Sequence, residues 1–307
     1  MRRTGGTVDP GRVSRTGVAR GLASVAALVF AAGCLAAGGG AASPPRVTVI
    51  SDSVLTSIIW HEQNLSVLAA GFDLDLNVAV CRRLAGVSCA FDGVAPPTVV
   101  DLLGSMQVVP AAVVVEMGYN DDPTLFRGEA ETVIDGLVAR GAKQIVWPTL
   151  VESTPNFVSI NRDLIALMLA HPQLELVDWN GYAARHGDWF QTDHLHLTAA
   201  GGLGMATLLH QALVSPPAAS GSVTLPPAPR GKPYRSALRA AAGCPCHWTL
   251  ADGALAPGLT LSDNGTVSGT ARAAGTFRAD ATYVTASALV GHVQITVRAQ
   301  RAKTKTR

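Results

Sequence analysis

Four residues in this chain have types that together could run acyl transfer. Ser53 follows Ser51-Asp52 at the end of the apolar run VTVISDSV, and Asn120 sits in Gly118-Tyr119-Asn120-Asp121. Asp193 and His196 lie three residues apart in Asp193-His194-Leu195-His196-Leu197. A hydroxyl nucleophile, an imidazole base, a carboxylate to orient the base and an amide to receive a developing oxyanion are the parts that this chemistry needs. The three-residue spacing lets Asp193 hold one ring nitrogen of His196 while the other faces a serine. His194 competes as base, but as the immediate neighbour of Asp193 it points elsewhere. Each part has a plainer reading when taken alone. A serine after a strand is often a helix N-cap, and an asparagine before Asp-Asp-Pro is ordinary turn chemistry.

The elements that would position these residues alternate. The segment 47–54 reads as a buried parallel strand that ends in a polar turn. A helix is expected over 55–70, a strand over 74–80, a helix over 98–106 and a strand over 111–117. Further helices at 129–140, 158–171 and 199–214 flank strands at 144–148 and 174–178. Strands and helices of this length in alternation predict a doubly wound parallel sheet covered on both faces. Ligands bind such sheets at the carboxyl ends of the strands, which is where Ser53 and Asn120 fall. After about residue 215 the pattern changes. The stretch 216–229, rich in Pro, Ala, Ser and Gly, reads as a linker. Short strand-like pieces between turns follow, with Asp263-Asn264-Gly265 as a hairpin signal.

The overall charge of +2 conceals two unlike halves. Residues 46–215 carry 8 Lys/Arg against 18 Asp/Glu, whereas 216–307 carry 11 against 3. The basic half lacks interleaved aromatic and basic residues, so nucleic acid is not an expected partner. Arginines at 2, 3, 12, 15 and 20 precede an apolar run over 22–37 and then small residues. This reads as an export leader over 1–45, too short and Gly-interrupted for a membrane-spanning helix, and the mature chain is expected to have none. Cys34 follows Ala31-Ala32-Gly33, a lipoprotein-like box that would anchor the chain at the cell envelope. The remaining cysteines are Cys81, Cys89, Cys244 and Cys246. In an oxidising compartment Cys81–Cys89 would close a short loop and Cys244–Cys246 a very tight ring. Pairing across the two halves, or buried thiols, would satisfy the same count. No His stands at ligand spacing from them, and nothing completes a metal site around His194 and His196, so no metal is expected.

In chain order, Ser51-Asp52-Ser53-Val54, Gly118-Tyr119-Asn120-Asp121 and Asp-His-Leu-His-Leu-Thr-Ala-Ala-Gly over 193–201 resemble the blocks of the SGNH/GDSL hydrolase family. The resemblance spans about 46–214. It implies a flavodoxin-like three-layer α/β/α sandwich with Ser53 as nucleophile and Asp193 and His196 completing a catalytic triad. Ser53 and Asn120 would donate to the oxyanion. The chain departs from the family twice: Ser51 stands where glycine is usual, and the second block's oxyanion glycine has no clear counterpart. Cys81 or Arg82 occupies that strand end and would supply a backbone N–H, and the Arg82 side chain would also attract an anionic substrate group. Val177-Asp178-Trp179 and Trp189-Phe190 resemble the SGNH domains appended to membrane O-acyltransferases, which implies acetyl groups on cell-surface sugars. Residues 222–299 resemble the Ig-like, cadherin-like modules of bacterial surface proteins, carried by Leu225-Pro226-Pro227, Gly258-Leu259-Thr260-Leu261-Ser262 and the stretch 265–277. Their basic surface and the basic tail at 300–307 would hold an anionic envelope polymer.

The expectation is therefore an exported, extracellular or envelope-bound serine esterase that cleaves a small acyl ester, O-acetyl on a glycan, without a cofactor. Two alternatives stand beside it. One is acyl transfer to a sugar hydroxyl by the same triad, and the other is a surface protein that binds polymer without turning it over.

Overall fold

The computed structural model describes residues 43–240 and 246–300. The expected leader with Cys34, Cys244 of the proposed tight ring, and most of the basic tail lie outside the described residues.

Five strands form one parallel sheet in the order β2-β1-β3-β4-β5: β1 (Arg46–Ser51), β2 (Asp73–Val78), β3 (Ala112–Glu116), β4 (Gln144–Pro148) and β5 (Leu174–Val177). This is the flavodoxin-type order, in which the chain steps to one side of β1 and then to the other, leaving a crevice at the carboxyl end of β1. The doubly wound fold expected from the sequence is the one observed. The strands read as continuous apolar runs because both faces are covered, and successive residues serve opposite cores. Val113 and Val115 join one core with Ile145 and Trp147, under the helices α3 (Val99–Ser105), α4 (Phe126–Ala139) and α5 (Pro155–Ala170). Val114 and Val146 join the other with Val47 and Val49, under α1 (Thr56–Trp60), α2 (Glu62–Leu68) and α7 (Ala199–Val214). The helix expected over 55–70 is broken at His61, whose extended backbone (φ −118°, ψ 111°) separates α1 from α2. A short helix α6 (Trp179–Ala183) and a 3-10 turn (Gly187–Trp189), neither anticipated, fill the segment between β5 and α7.

Beyond α7 the chain is all β. Antiparallel β8 (Pro233–Ala237), β10 (Leu259–Leu261) and β11 (Thr266–Thr270) form one sheet. The other holds β6 (Ser220–Thr224), β9 (His247–Gly253), β12 (Gly275–Val284) and β13 (Val290–Gln300), with β7 (Ala228–Pro229) also on β13. Residues of both sheets, among them Tyr234, Trp248, Val267, Tyr283 and Ile295, share one core. The stretch 216–229 is thus not merely a linker, for it contains β6 and β7, both parallel to β13. The long β13 offers an open ladder, and an edge strand tolerates the Pro, Gly and Ser that made this segment read as unstructured. The hairpin signal holds, with Gly265 at φ 79° and Ser262 N–H donating to Thr266 O.

The β part also closes the edge of the parallel sheet. Leu289, in the β12–β13 turn, pairs antiparallel with Val177, and Asp178 N–H donates to Ala288 O at 2.8 Å. Ala288 and Leu289 are buried in the α/β core beside Val177 and Trp179. Leu289→Ala should therefore destabilise the whole chain by about 2–5 kcal/mol, the usual loss for emptying a packed leucine site. Urea unfolding followed by tryptophan fluorescence would measure it, and a loss within error would mean that this turn carries no packing load.

Candidate active site

Ser53 lies just past the end of β1, held by a turn built from its neighbours. Asp52 Oδ1 accepts from Val54 N–H at 2.9 Å, and Ser53 O accepts from the Thr56 hydroxyl at 2.6 Å. The N-cap position of α1 belongs to Leu55, with no side-chain cap, so Ser53 is not a capping serine. Its Oγ meets His196 Nε2 at 2.9 Å, and His196 Nδ1 meets Asp193 Oδ2 at 2.6 Å. Ser53 is 9% exposed, whereas the side chains of His196 and Asp193 are 34% and 47% exposed.

The loop that carries the pair is fixed locally. Asp193 Oδ1 accepts from the backbone N–H groups of Leu195 and His196, both at 3.0 Å, an Asx-type turn that aims the imidazole. His194, at φ 57°, is exposed and takes no part in the contact with Ser53. The loop's outer end rests on stacked rings. Trp189 lies parallel to Trp179 at 5.7 Å and to His186 at 3.8 Å, and its carbonyl accepts from Thr198 N–H. The inner end is clamped from the Ser53 side, because Ser57 Oγ donates to Thr198 O at 2.8 Å and Asn64 Nδ2 to Ala199 O at 2.9 Å. A side chain at Gly202 would strike both Ser57 and Asn64, so only glycine allows α7 to approach this closely.

The donor side is only partly as expected. Asn120 Nδ2 donates to Asp52 Oδ2 at 3.1 Å and to Arg82 O at 3.3 Å, so its amide stands beside the Ser53 turn with both N–H groups engaged. Cys81 sits at φ 69°, a left-handed conformation that suits glycine, and is tied to Cys89 by a disulfide. Of the two N–H groups offered by the sequence, that of Arg82 is donated to Ala79 O at 3.3 Å. Among the described residues, none accepts from the N–H of Cys81 or of Ser53. The expectation that Arg82 attracts an anionic substrate is corrected. Its side chain is buried, and the guanidinium donates to the carbonyls of Pro97, Ser51 and Asn77, serving as an internal brace. Cys246 is disulfide-bonded and buried.

Since Cys89 is exposed, Cys89→Ala would remove little packing, and its cost should be the cross-link alone. Loop closure over eight residues implies a loss of up to about 2–3 kcal/mol in urea, and a stability equal to that of the parent would contradict it.

Three acidic residues behind Ser53 went unremarked in the sequence. Asp52 is fully buried, and that burial pushes its carboxyl up to about 7. Burial, with Asp52 as a neighbouring charge, raises Glu116 well above the ordinary range, and burial pushes Asp121 to about 6. Asp193 goes the other way, to about 2, because its carboxylate accepts from His196. The one available signal was a glutamate closing the otherwise apolar strand AVVVE. Among the described residues no group of three or more His, Cys, Asp or Glu is placed to hold a metal ion, and no helix is long and apolar enough to cross a membrane.

No protein-family model matches the sequence, and neither does any curated protein. Among solved structures, the chain is similar to the inhibitor-bound aryl esterase of M. smegmatis, at 12% identity and TM-score 0.43, over 55% of this chain and 98% of that one. It is similar over the same shares to Est24, a carbohydrate acetylesterase from Sinorhizobium meliloti, at 12% identity and TM-score 0.41. A Bacteroides fragilis protein provisionally described as an alpha-galactosidase is matched at 19% identity and TM-score 0.22, over 26% of this chain and only 16% of that one.

Proposed function

We propose that this chain is an exported serine hydrolase of the SGNH type that cleaves small acyl esters, O-acetyl groups on a surface carbohydrate in particular. The observation that carries the reading is the unbroken line from Asp193 Oδ2 through both nitrogens of His196 to Ser53 Oγ, at 2.6 and 2.9 Å. His196 Nε2 takes the hydroxyl proton as Oγ bonds to the ester carbonyl carbon, and Asp193 steadies the imidazolium. The oxyanion is received by the unengaged N–H groups of Ser53 and Cys81, and by the Asn120 amide once it lets go of Arg82 O, the longer of its two bonds. Collapse expels the alcohol, which takes the proton from His196. Water then attacks the acyl-Ser53 ester with His196 again as base, and the acid leaves. No cofactor enters these steps.

The half-exposed Asp193 and the exposed edge of His196 leave the base open to solvent, which favours water over a sugar hydroxyl as acyl acceptor. The basic C-terminal portion would hold the chain on an anionic envelope polymer. Hydrolysis of a chromogenic acetyl ester, with labelling of Ser53 by a serine-directed phosphonate, tests the assignment. A chain that neither turns over the ester nor takes the label at Ser53 would refute it. Label transferred from a donor ester onto an added glycan would instead identify an acyltransferase.

A further inference from the structure

Glu116 closes β3 directly opposite Ser51 in the β1–β3 register, and it is 2% exposed. Its Oε2 accepts from the Ser51 hydroxyl at 2.7 Å, and its carboxyl interacts with that of Asp52, which is likewise buried. Two buried carboxyl groups that interact do not both ionise, so one of them holds a proton. Asp52 already accepts from Val54 N–H and Asn120 Nδ2, whereas Glu116 accepts from a single hydroxyl. The group with more donors around it is the better anion, so the proton belongs on Glu116.

We propose that Glu116 is a positioning residue: its neutral carboxyl donates to the Asp52 carboxylate and so fixes the acceptor that aims the Asn120 amide and holds the Ser53 turn. Neither carboxyl contacts substrate. The surroundings agree with one negative charge rather than two. Asp121 and Tyr119, from the loop after β3, face the pair without neutralising it. Arg82, after β2, is the nearby permanent cation, but it spends its hydrogen bonds on three backbone carbonyls, and His196 touches the pair only through space. Burial disfavours the charged form of both acids, and Glu116, with fewer donors around it, is the one that keeps its proton.

The activity arm of the test rests on the proposed esterase, whereas the spectroscopic arm does not. At pH 8 a protonated Glu116 should give an infrared carbonyl band of a neutral carboxyl, assigned by its response to substitution. That band should persist in Asp121→Asn and vanish in Glu116→Gln. With an acetyl ester, Glu116→Gln keeps a neutral donor and should hold kcat within about threefold. Glu116→Ala should lower kcat roughly 10- to 100-fold with KM little changed, the signature of an interaction realised in the transition state. No protonated-carboxyl band at pH 8, a band that survives Glu116→Gln, or a kcat in Glu116→Gln as low as in Glu116→Ala would each overturn the proposal. If the chain cleaves no ester, the band still decides the protonation of Glu116.

Discussion

Ser53→Ala should reduce ester turnover by about 10⁶-fold, His196→Ala by a similar factor, and the double variant by no more than either alone. The non-additivity follows from the geometry, since the hydroxyl and imidazole act on one proton through one 2.9 Å contact. A serine without its base is a poor nucleophile, and a base without a serine has nothing to activate. The same geometry predicts that stability hardly moves. Among the described residues the only side-chain hydrogen bond of Ser53 is the one to His196, and the imidazole is a third exposed, so each variant should melt within about 0.5 kcal/mol of the parent. Rates on a chromogenic acetyl ester, read beside thermal melts, separate loss of chemistry from loss of fold. Full activity in Ser53→Ala would place the nucleophile elsewhere. Additive losses in the double variant would mean that the two residues do not share a step.

How much of this was legible before any coordinates depended on how local the determining force was. The parallel sheet was readable because a strand buried on both faces must be apolar throughout, and AVVVE and QIVWP are so apart from their ends. The contact line from Asp193 through His196 to Ser53 was readable because Asp193 and His196 carry their geometry in a three-residue turn, needing only β1 to bring Ser53 to the same edge. Long-range effects were not readable. That Arg82 turns inward depends on the carbonyls of Pro97, Ser51 and Asn77 converging around it, and only the fold assembles them. That Ser220 to Thr224 forms a strand depends on the free ladder of β13, 70 residues on, rather than on its own residues, which resemble a loop. The break at His61 belongs to the same class, since α1 and α2 separately reach across to the start of α7 through Ser57 and Asn64. The acidic pair behind Ser53 had only the oddity of a glutamate at a strand's end to mark it.

Asp193→Asn should lower kcat by about 10⁴-fold while leaving the loop intact, and this separates the two tasks of Asp193. Oδ1 accepts from the N–H groups of Leu195 and His196, and an amide oxygen can continue to do so. Oδ2 accepts from His196 Nδ1, and an amide nitrogen in its place can only donate. The imidazole would then keep its proton on Nε2, facing Ser53 Oγ, and could not receive another without becoming a cation that nothing holds. Asp193→Ala should show a loss of turnover of similar order, but with a less ordered loop, since it forfeits the backbone acceptor as well. The pH dependence has a defined sign. Hydrogen bonding to His196 depresses Asp193 to about 2, so its contribution to the native state is present above the ordinary carboxylate range and is lost only as pH falls through about 2. Any decline in activity between pH 7 and 5 must therefore come from another group. A variant with parental kcat would show that the 2.6 Å contact orients nothing that the reaction uses.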